Sequence, residues 1–231
     1  MTFNNPHYIG VNTTKILCKP NCKDLTKVAE SHKIVFATLA EAHTKNFIKC
    51  SKCFHKSSKI LRDNLLRAEF KSIMDTPIGQ LTFLFHHNNL SQILFDNDKD
   101  LLAKTKHIPL NNNYPSFQIV ENIFTKYFKK EKVDFTNIPI KITGTSFQQQ
   151  VFQGLSHIKY GEAISYKSFS EKYFKLSQLR AVSSQIGKNP LPIIFPCHRV
   201  IGSNNSLTGF FGGLDKKQKL LALEGNINTW K

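Results

Sequence analysis

The 231-residue chain contains no run of about 18 uninterrupted apolar residues, the length a helix needs to cross a bilayer, so no membrane-spanning segment is expected. Its first residues, Met1-Thr2-Phe3-Asn4-Asn5-Pro6-His7, lack the basic and apolar regions of a signal peptide. The expected location is therefore the cytoplasm, in a bacterium the cytosol or nucleoid, with no membrane partner. Acidic residues are few, 16 Asp and Glu against 32 Lys and Arg, and the net charge of +16 points away from cationic partners. Cysteine is sparse as well: of five, four lie in the first 53 residues and the fifth stands alone at position 197. What is present is enough apolar residue, 40%, to build real cores in two or three small domains.

The positive charge is unevenly spread. Residues 1–72 hold 13 basic and 5 acidic side chains, residues 73–145 hold 8 and 7, and residues 146–231 hold 11 and 4. Two basic ends around a neutral middle suggest two surfaces that face a polyanion, and nucleic acid is the commonest such partner. The alternative is a generally basic surface tuned for solubility, with lysine and asparagine enriched by an A/T-rich coding genome.

The early cysteines form two close pairs, Cys18-Lys-Pro-Asn-Cys22 and Cys50-Ser-Lys-Cys53, separated by a long loop. A tetrahedral zinc needs this pattern, each pair supplying one edge of the tetrahedron. Two disulfides are the alternative. A reducing compartment disfavours them, and a segment of under 60 residues needs a staple beyond its small core.

From residue 69 the pattern turns to strands and hairpins. Ile78–Phe85 reads as a strand, His86-His87-Asn88-Asn89 as a turn, and Leu90–Phe95 as its partner strand. The two turn histidines are read as polar turn residues without a function. Val120–Phe128 spaces apolar residues at three and four, as an amphipathic helix does. After residue 145 the chain becomes helical: Ser146 caps a helix through Ser156, a second runs over Tyr166–Phe174, and a third over Ser177–Ile186 is closed by Gly187. The last two make a helix-turn-helix. Lys56–Arg62 is a basic connection whose later part could open a short helix, and it is read as a solvated linker.

The fifth cysteine lies in Asn189-Pro-Leu-Pro-Ile-Ile-Phe-Pro-Cys-His-Arg-Val200, beside a histidine in a proline-braced apolar run. A free thiol with a pKa near 8.5 is only a few per cent thiolate at neutral pH, so a nucleophilic role needs a nearby base. Cys197 and His198 are adjacent and project differently, so they are expected to communicate through a water. That argues against a cysteine hydrolase, for which no independently placed base is apparent.

Pro-Cys-His-Arg-Val closely resembles the active-site signature of the O6-alkylguanine-DNA alkyltransferases. The match extends from Gly144–Phe152 through Tyr160-Gly-Glu, Ile164-Ser-Tyr, Arg180-Ala-Val and Gly212-Gly to Leu220–Gly225. The first segment, Tyr8–Cys22 with Val35–Ala42 and Phe47–Cys53, resembles the amino-terminal zinc domain of the Ada adaptive-response proteins, without the AraC-like region of complete Ada regulators. The resemblance implies a multidomain α/β chain: an Ada-type zinc α/β domain at 1–58, a linker at 59–68, a ribonuclease-H-like α/β domain at 69–145 and a helical, winged-helix-like catalytic domain at 146–231.

It also implies roles. Cys197 accepts the alkyl group, His198 takes its proton through water, Glu224 supports His198, and Asn189 ties the helix-turn-helix to the active-site strand. Tyr166 donates to the extruded guanine. Arg180 enters the base stack in the minor groove, and Ser183 and Ser184 let backbones approach. Pro192, Val200, Phe210 and Phe211 line the base pocket. Phe210 stands where the family usually has tyrosine, so the ring can still stack on the base but offers it no hydroxyl. Cys18, Cys22, Cys50 and Cys53 bind zinc, and Cys18 also accepts methyl from a backbone phosphotriester. The expected activity is stoichiometric repair of O6-alkylguanine and O4-methylthymine in double-stranded DNA by a monomer without an organic cofactor. The alternative is a zinc-dependent DNA-binding regulator whose affinity responds to methylation.

Overall fold

The computed structural model describes residues 8–13, 16–18, 23–36, 45, 48–49 and 59–226. The chain divides into two compact units, Met1–Lys56 and Ser57–Lys231. Among the described residues no helix is long and apolar enough to cross a membrane.

The first unit carries a four-stranded sheet in the order β3-β1-β2-β4, built from β1 (Tyr8–Val11), β2 (Ile16–Cys18), β3 (Lys33–Phe36) and β4 (Ile48–Lys49). Among its described residues the buried cluster holds Val11, Cys18 and Leu25, with Ile9 and Val28 against it. A unit as short as Met1–Lys56 gains little stability from its own core, which is the physical case for a metal staple. Strands β2 and β4 run parallel, with Leu17 opposite Lys49, so Cys18 follows one strand position and Cys50 in sequence follows the other. Cys22, Cys50 and Cys53 lie outside the described residues.

The second unit opens with a difference from expectation. Residues 59–68 are not a solvated linker: Lys59–Arg67 forms helix α1, because Ile60, Leu61, Asn64 and Leu65 recur at helical spacing and are buried. Helix α1 packs on β6 (Leu81–His86) and β7 (Asn89–Phe95), which with β5 (Phe70–Met74) make an antiparallel sheet in chain order. Helix α3 (Pro115–Phe128), which follows the short α2 (Lys99–Lys104), also covers the sheet, with Phe124 edge-on to Phe83 at 5.1 Å. Cover from both helices explains why β6 buries five successive residues instead of alternating. Strand β6 starts at Leu81 and not at Ile78. Thr76 and Gly79 close a turn before it, with Gly79 at φ +103°.

The last part of the unit holds α4 (Ser146–Ser156), β8 (Ile164–Ser165), α5 (Tyr166–Tyr173), α6 (Leu179–Ile186), β9 (Val200–Ile201) and α7 (Leu214–Leu223). Helix α4 is capped by Thr145 and not by Ser146: Thr145 and Gln148 form a reciprocal capping box. The helix expected from Ser177 is preceded by a 3-10 turn, Leu176–Gln178, so α6 begins at Leu179 and ends on Gly187. Parallel pairing of β8 with β9, Ile164 opposite Val200, sets the start of α5 beside the Cys197 segment.

Candidate active site

Every residue from Asn189 to Ile201 is buried, so this segment is core as well as chemistry. Its bend is held by backbone bonds from Phe195 N–H to Leu191 O (2.9 Å) and from Ile93 N–H of β7 to Pro190 O (2.8 Å). Ile193 sits at φ +76°, a left-handed conformation that costs a β-branched residue about 1–3 kcal/mol and persists only where its surroundings impose it. The run ends in a 3-10 turn, Cys197–Arg199.

Asn189 organises the bend. Its Nδ2 donates to Phe195 O (2.7 Å) and to Cys197 Sγ (3.1 Å), while Oδ1 accepts from Leu191 N–H (3.0 Å). Burial pushes the Cys197 thiol up from its ordinary pKa. Asn189, the charge of Lys217 and the backbone N–H groups of Cys197 and His198 pull it the other way. The resting group is therefore a thiol surrounded by donors that favour its anion.

His198 is fully buried, and its Nε2–H donates to Glu224 Oε1 at 2.9 Å. Burial lowers its pKa, so the ring is neutral near pH 7, with the lone pair on Nδ1. That Nδ1 is buried and has no hydrogen-bond partner. Glu224 is saturated. Oε1 also accepts from Tyr127 Oη (2.6 Å) and Arg199 Nη2 (2.8 Å), and Oε2 accepts from Arg199 Nε (2.8 Å). Burial opposes the Glu224 charge, yet hydrogen bonds from His198 and Arg199 and the positive charge of Arg199 hold its carboxyl well below the usual range. Burial and the Glu224 charge push Tyr127 well above its ordinary value, so its hydroxyl remains a donor.

Opposite this network, Tyr166 opens α5 and donates from Oη to Gly209 O at 3.2 Å. Burial and the nearby Cys197 push its pKa up to about 12, so it stays protonated. Lys217 is fully buried in α7. Its Nζ donates to Val200 O (2.5 Å) and Thr208 O (2.7 Å) and lies 5.9 Å from the Tyr166 ring centroid. Burial lowers its pKa to about 8. Phe210 is half-buried, edge-on to Phe95 at 5.5 Å and to His198 at 6.5 Å. Phe211 is half-buried next to it, and Pro192 pairs through its backbone with Phe195. Asn97 and Asp96 hold this loop and α7 to the sheet, through Gly212 O (2.8 Å) and Lys216 Nζ (2.9 Å).

Cys197, His198, Asn189 and Glu224 are thus brought together as the sequence suggests, with Tyr166, Val200 and Phe210 around them. Arg180 and Ser184 are exposed on the face of α6 opposite its buried Val182 and Ile186, and the half-buried Ser183 flanks that face. Sequence reasoning misses Arg199, Tyr127 and Lys217. Arg199 stands inside Pro-Cys-His-Arg-Val without a role, whereas Tyr127 reads as one more apolar-stripe residue and Lys217 as one more basic residue. Cys18 is 2% exposed at the end of β2. Four cysteines in one short unit, Cys18 of them buried, are a donor set suited to a structural metal.

Comparison with known proteins agrees with this geometry. Residues 146–226 match the 6-O-methylguanine DNA methyltransferase DNA binding domain, residues 70–142 the ribonuclease-like domain of the same proteins, and residues 1–55 the metal binding domain of Ada. The methylated-DNA–protein-cysteine methyltransferase of Haemophilus influenzae is 37% identical over 159 residues, 69% of this chain and 88% of that protein. The inducible enzyme of Bacillus subtilis is 44% identical over 105 residues, 46% of this chain and 58% of that one. Among solved structures, the O6-methylguanine methyltransferase of Mycobacterium tuberculosis superposes with a TM-score of 0.61 at 33% identity, over 70% of this chain and 96% of that one. A crystal structure of Mycobacterium tuberculosis OGT in complex with DNA gives 0.59 at 34% identity, over 67% and 92%. With a buried cysteine in its hydrogen-bonded setting and relatives matched over most of their length, the chain belongs to the methylated-DNA–protein-cysteine methyltransferases and carries an Ada metal-binding domain ahead of them.

Proposed function

We propose that this chain repairs O6-alkylguanine, and O4-methylthymine, in double-stranded DNA by a single transfer of the alkyl group to Cys197. The observation that carries the reading is a buried thiol held by Asn189 beside a neutral histidine whose Nε2 is committed to Glu224. His198 Nδ1 is the remaining base, and a water between it and Sγ carries the thiol proton across. Asn189, the backbone N–H groups and the charge of Lys217 then stabilise the thiolate. Sulfur attacks the alkyl carbon. The sulfur–carbon bond forms as the carbon–O6 bond breaks, and the electron pair stays with the purine, which Tyr166 meets with a hydroxyl that is protonated at any physiological pH. The product is a thioether, too poor a leaving group to regenerate the thiol, so one chain repairs one lesion.

To reach Cys197 the base must leave the stack, at a cost of about a few kcal/mol that is smaller for a badly paired base. Arg180 and Ser184, on the outer face of α6, and Ser183 flanking it are assigned to the minor groove, with Arg180 filling the gap. Pro192, Val200, Phe210 and Phe211 form the pocket for the extruded base. The DNA complex of the Mycobacterium tuberculosis relative supports a DNA substrate.

Cys18, Cys22, Cys50 and Cys53 are assigned to one zinc, which when bound keeps its ligands as thiolates and staples the short first unit. Cys18 accepts the methyl group of a backbone phosphotriester, leaving an ordinary phosphodiester. We assign the zinc domain to 1–58, the ribonuclease-like domain to 69–145 and the catalytic domain to 146–231, acting as a monomer in the cytoplasm without an organic cofactor. Cys197→Ala tests the central step. It is expected to bind duplex DNA carrying O6-methylguanine and transfer nothing, and residual transfer would assign the chemistry elsewhere.

A further inference from the structure

Glu69, His86 and His87 come together on the ribonuclease-like domain, away from the Cys197 network. Glu69 precedes β5, and its N–H donates to Phe85 O (2.9 Å), which sets it across from the end of β6. His86 ends β6, and His87 and Asn88 form the two-residue turn to β7. Neighbours in a strand point to opposite faces. His87 instead adopts φ +47°, and its ring folds over that of His86, centroids 4.0 Å apart and planes 29° apart.

The carboxylate completes the cluster. Glu69 Oε2 accepts the His87 N–H at 3.0 Å, which turns Oε1 toward His87 Nδ1 (2.7 Å) and His86 Nδ1 (3.4 Å). His86 Nδ1 is buried and makes no hydrogen bond. The three ligand atoms lie within 4.8 Å of one another. A tetrahedral zinc with bonds of about 2.0–2.2 Å holds its ligand atoms roughly 3.4 Å apart, so the cluster needs only a small opening to admit one. Two imidazoles and a carboxylate suit zinc and its transition-metal neighbours and do not suit calcium or magnesium.

We propose that Glu69, His86 and His87 form a second metal site, distinct from the four-cysteine set, that binds zinc through three protein ligands with the fourth position open to water. The site touches none of the residues assigned to alkyl transfer. Its test uses the full chain, dialysed to equilibrium against buffered zinc, and compares wild type with Glu69→Gln and with the double variant His86→Gln/His87→Gln. Wild type is expected to hold about one zinc per chain more than either variant, and zinc is expected to protect His86 and His87 from diethyl pyrocarbonate, read on their peptide. Unchanged alkyl transfer in the variants serves as the check on folding. Equal zinc content in all three proteins would overturn the proposal. So would unprotected histidines in zinc-loaded wild type, a readout that needs no variant.

Discussion

Among the described residues two carboxylates face histidines, and solvent separates what they do. Glu224 and His198 are buried, and every donor around the carboxylate is used, from Tyr127, His198 and Arg199. Nothing is left to rearrange, so one tautomer is held and one ring nitrogen is kept for chemistry. Glu69 is partly exposed, binds histidines on a turn, and leaves a buried ring nitrogen unbonded. The same two functional groups make a rigid base in the core and an adaptable, ligand-ready cluster at the surface. Burial raises the cost of any unsatisfied group, and that cost is what fixes the first arrangement.

Removing charge from each carboxylate sharpens the contrast. Glu224→Gln leaves Arg199 buried without its counter-charge and is expected to cost about 3–5 kcal/mol of stability and to abolish transfer. Denaturant midpoints and single-turnover assays measure the two effects. Asn189→Ala removes the donor to Sγ and orphans the Leu191 N–H, costing about 1–3 kcal/mol and slowing transfer while DNA binding persists. Tyr127→Phe takes one of the three donors from Oε1, at a cost of about 1.5–3 kcal/mol and with a slower transfer rate. Glu69→Gln is the smallest change, under about 1 kcal/mol, with alkyl transfer untouched.

Acidity distinguishes the buried pair in a second way. The carboxyl of Glu224 lies lower in the folded chain than its ordinary 4.5, so below that pH the unfolded state binds the extra proton. The stability it contributes is complete above about pH 4.5 and is lost as pH falls further. Glu224→Gln is expected to flatten that acid limb, measured as unfolding free energy against pH. His198 titrates below its ordinary 6.5, so the transfer rate is expected to hold its plateau through that pH and fall only under more acidic conditions.

Much of this is legible in the sequence, and what is not has identifiable causes. Cys197, His198 and Asn189 share one short segment, so their proximity follows from chain connectivity once the bend forms. Glu224 lies 26 residues from His198 and is readable only through family resemblance. Tyr127 lies 97 residues from Glu224 in another domain, and no local pattern marks an apolar-stripe tyrosine as a donor. Helix α1 reads as linker because its basic start outweighs the stripe of Ile60, Leu61 and Leu65 that tertiary packing rewards. The turn histidines look idle in the sequence because Glu69, the residue that gives them a use, stands 17 positions before the nearer one.

Peptide mass spectrometry after incubation with duplex DNA containing O6-methylguanine tests the central claim most directly. The account predicts one methyl group on the Cys197 peptide, in proportion to lesion removed, and none on that peptide in Cys197→Ala. A methyl group on another cysteine, or lesion loss with Cys197 unmodified, would contradict it.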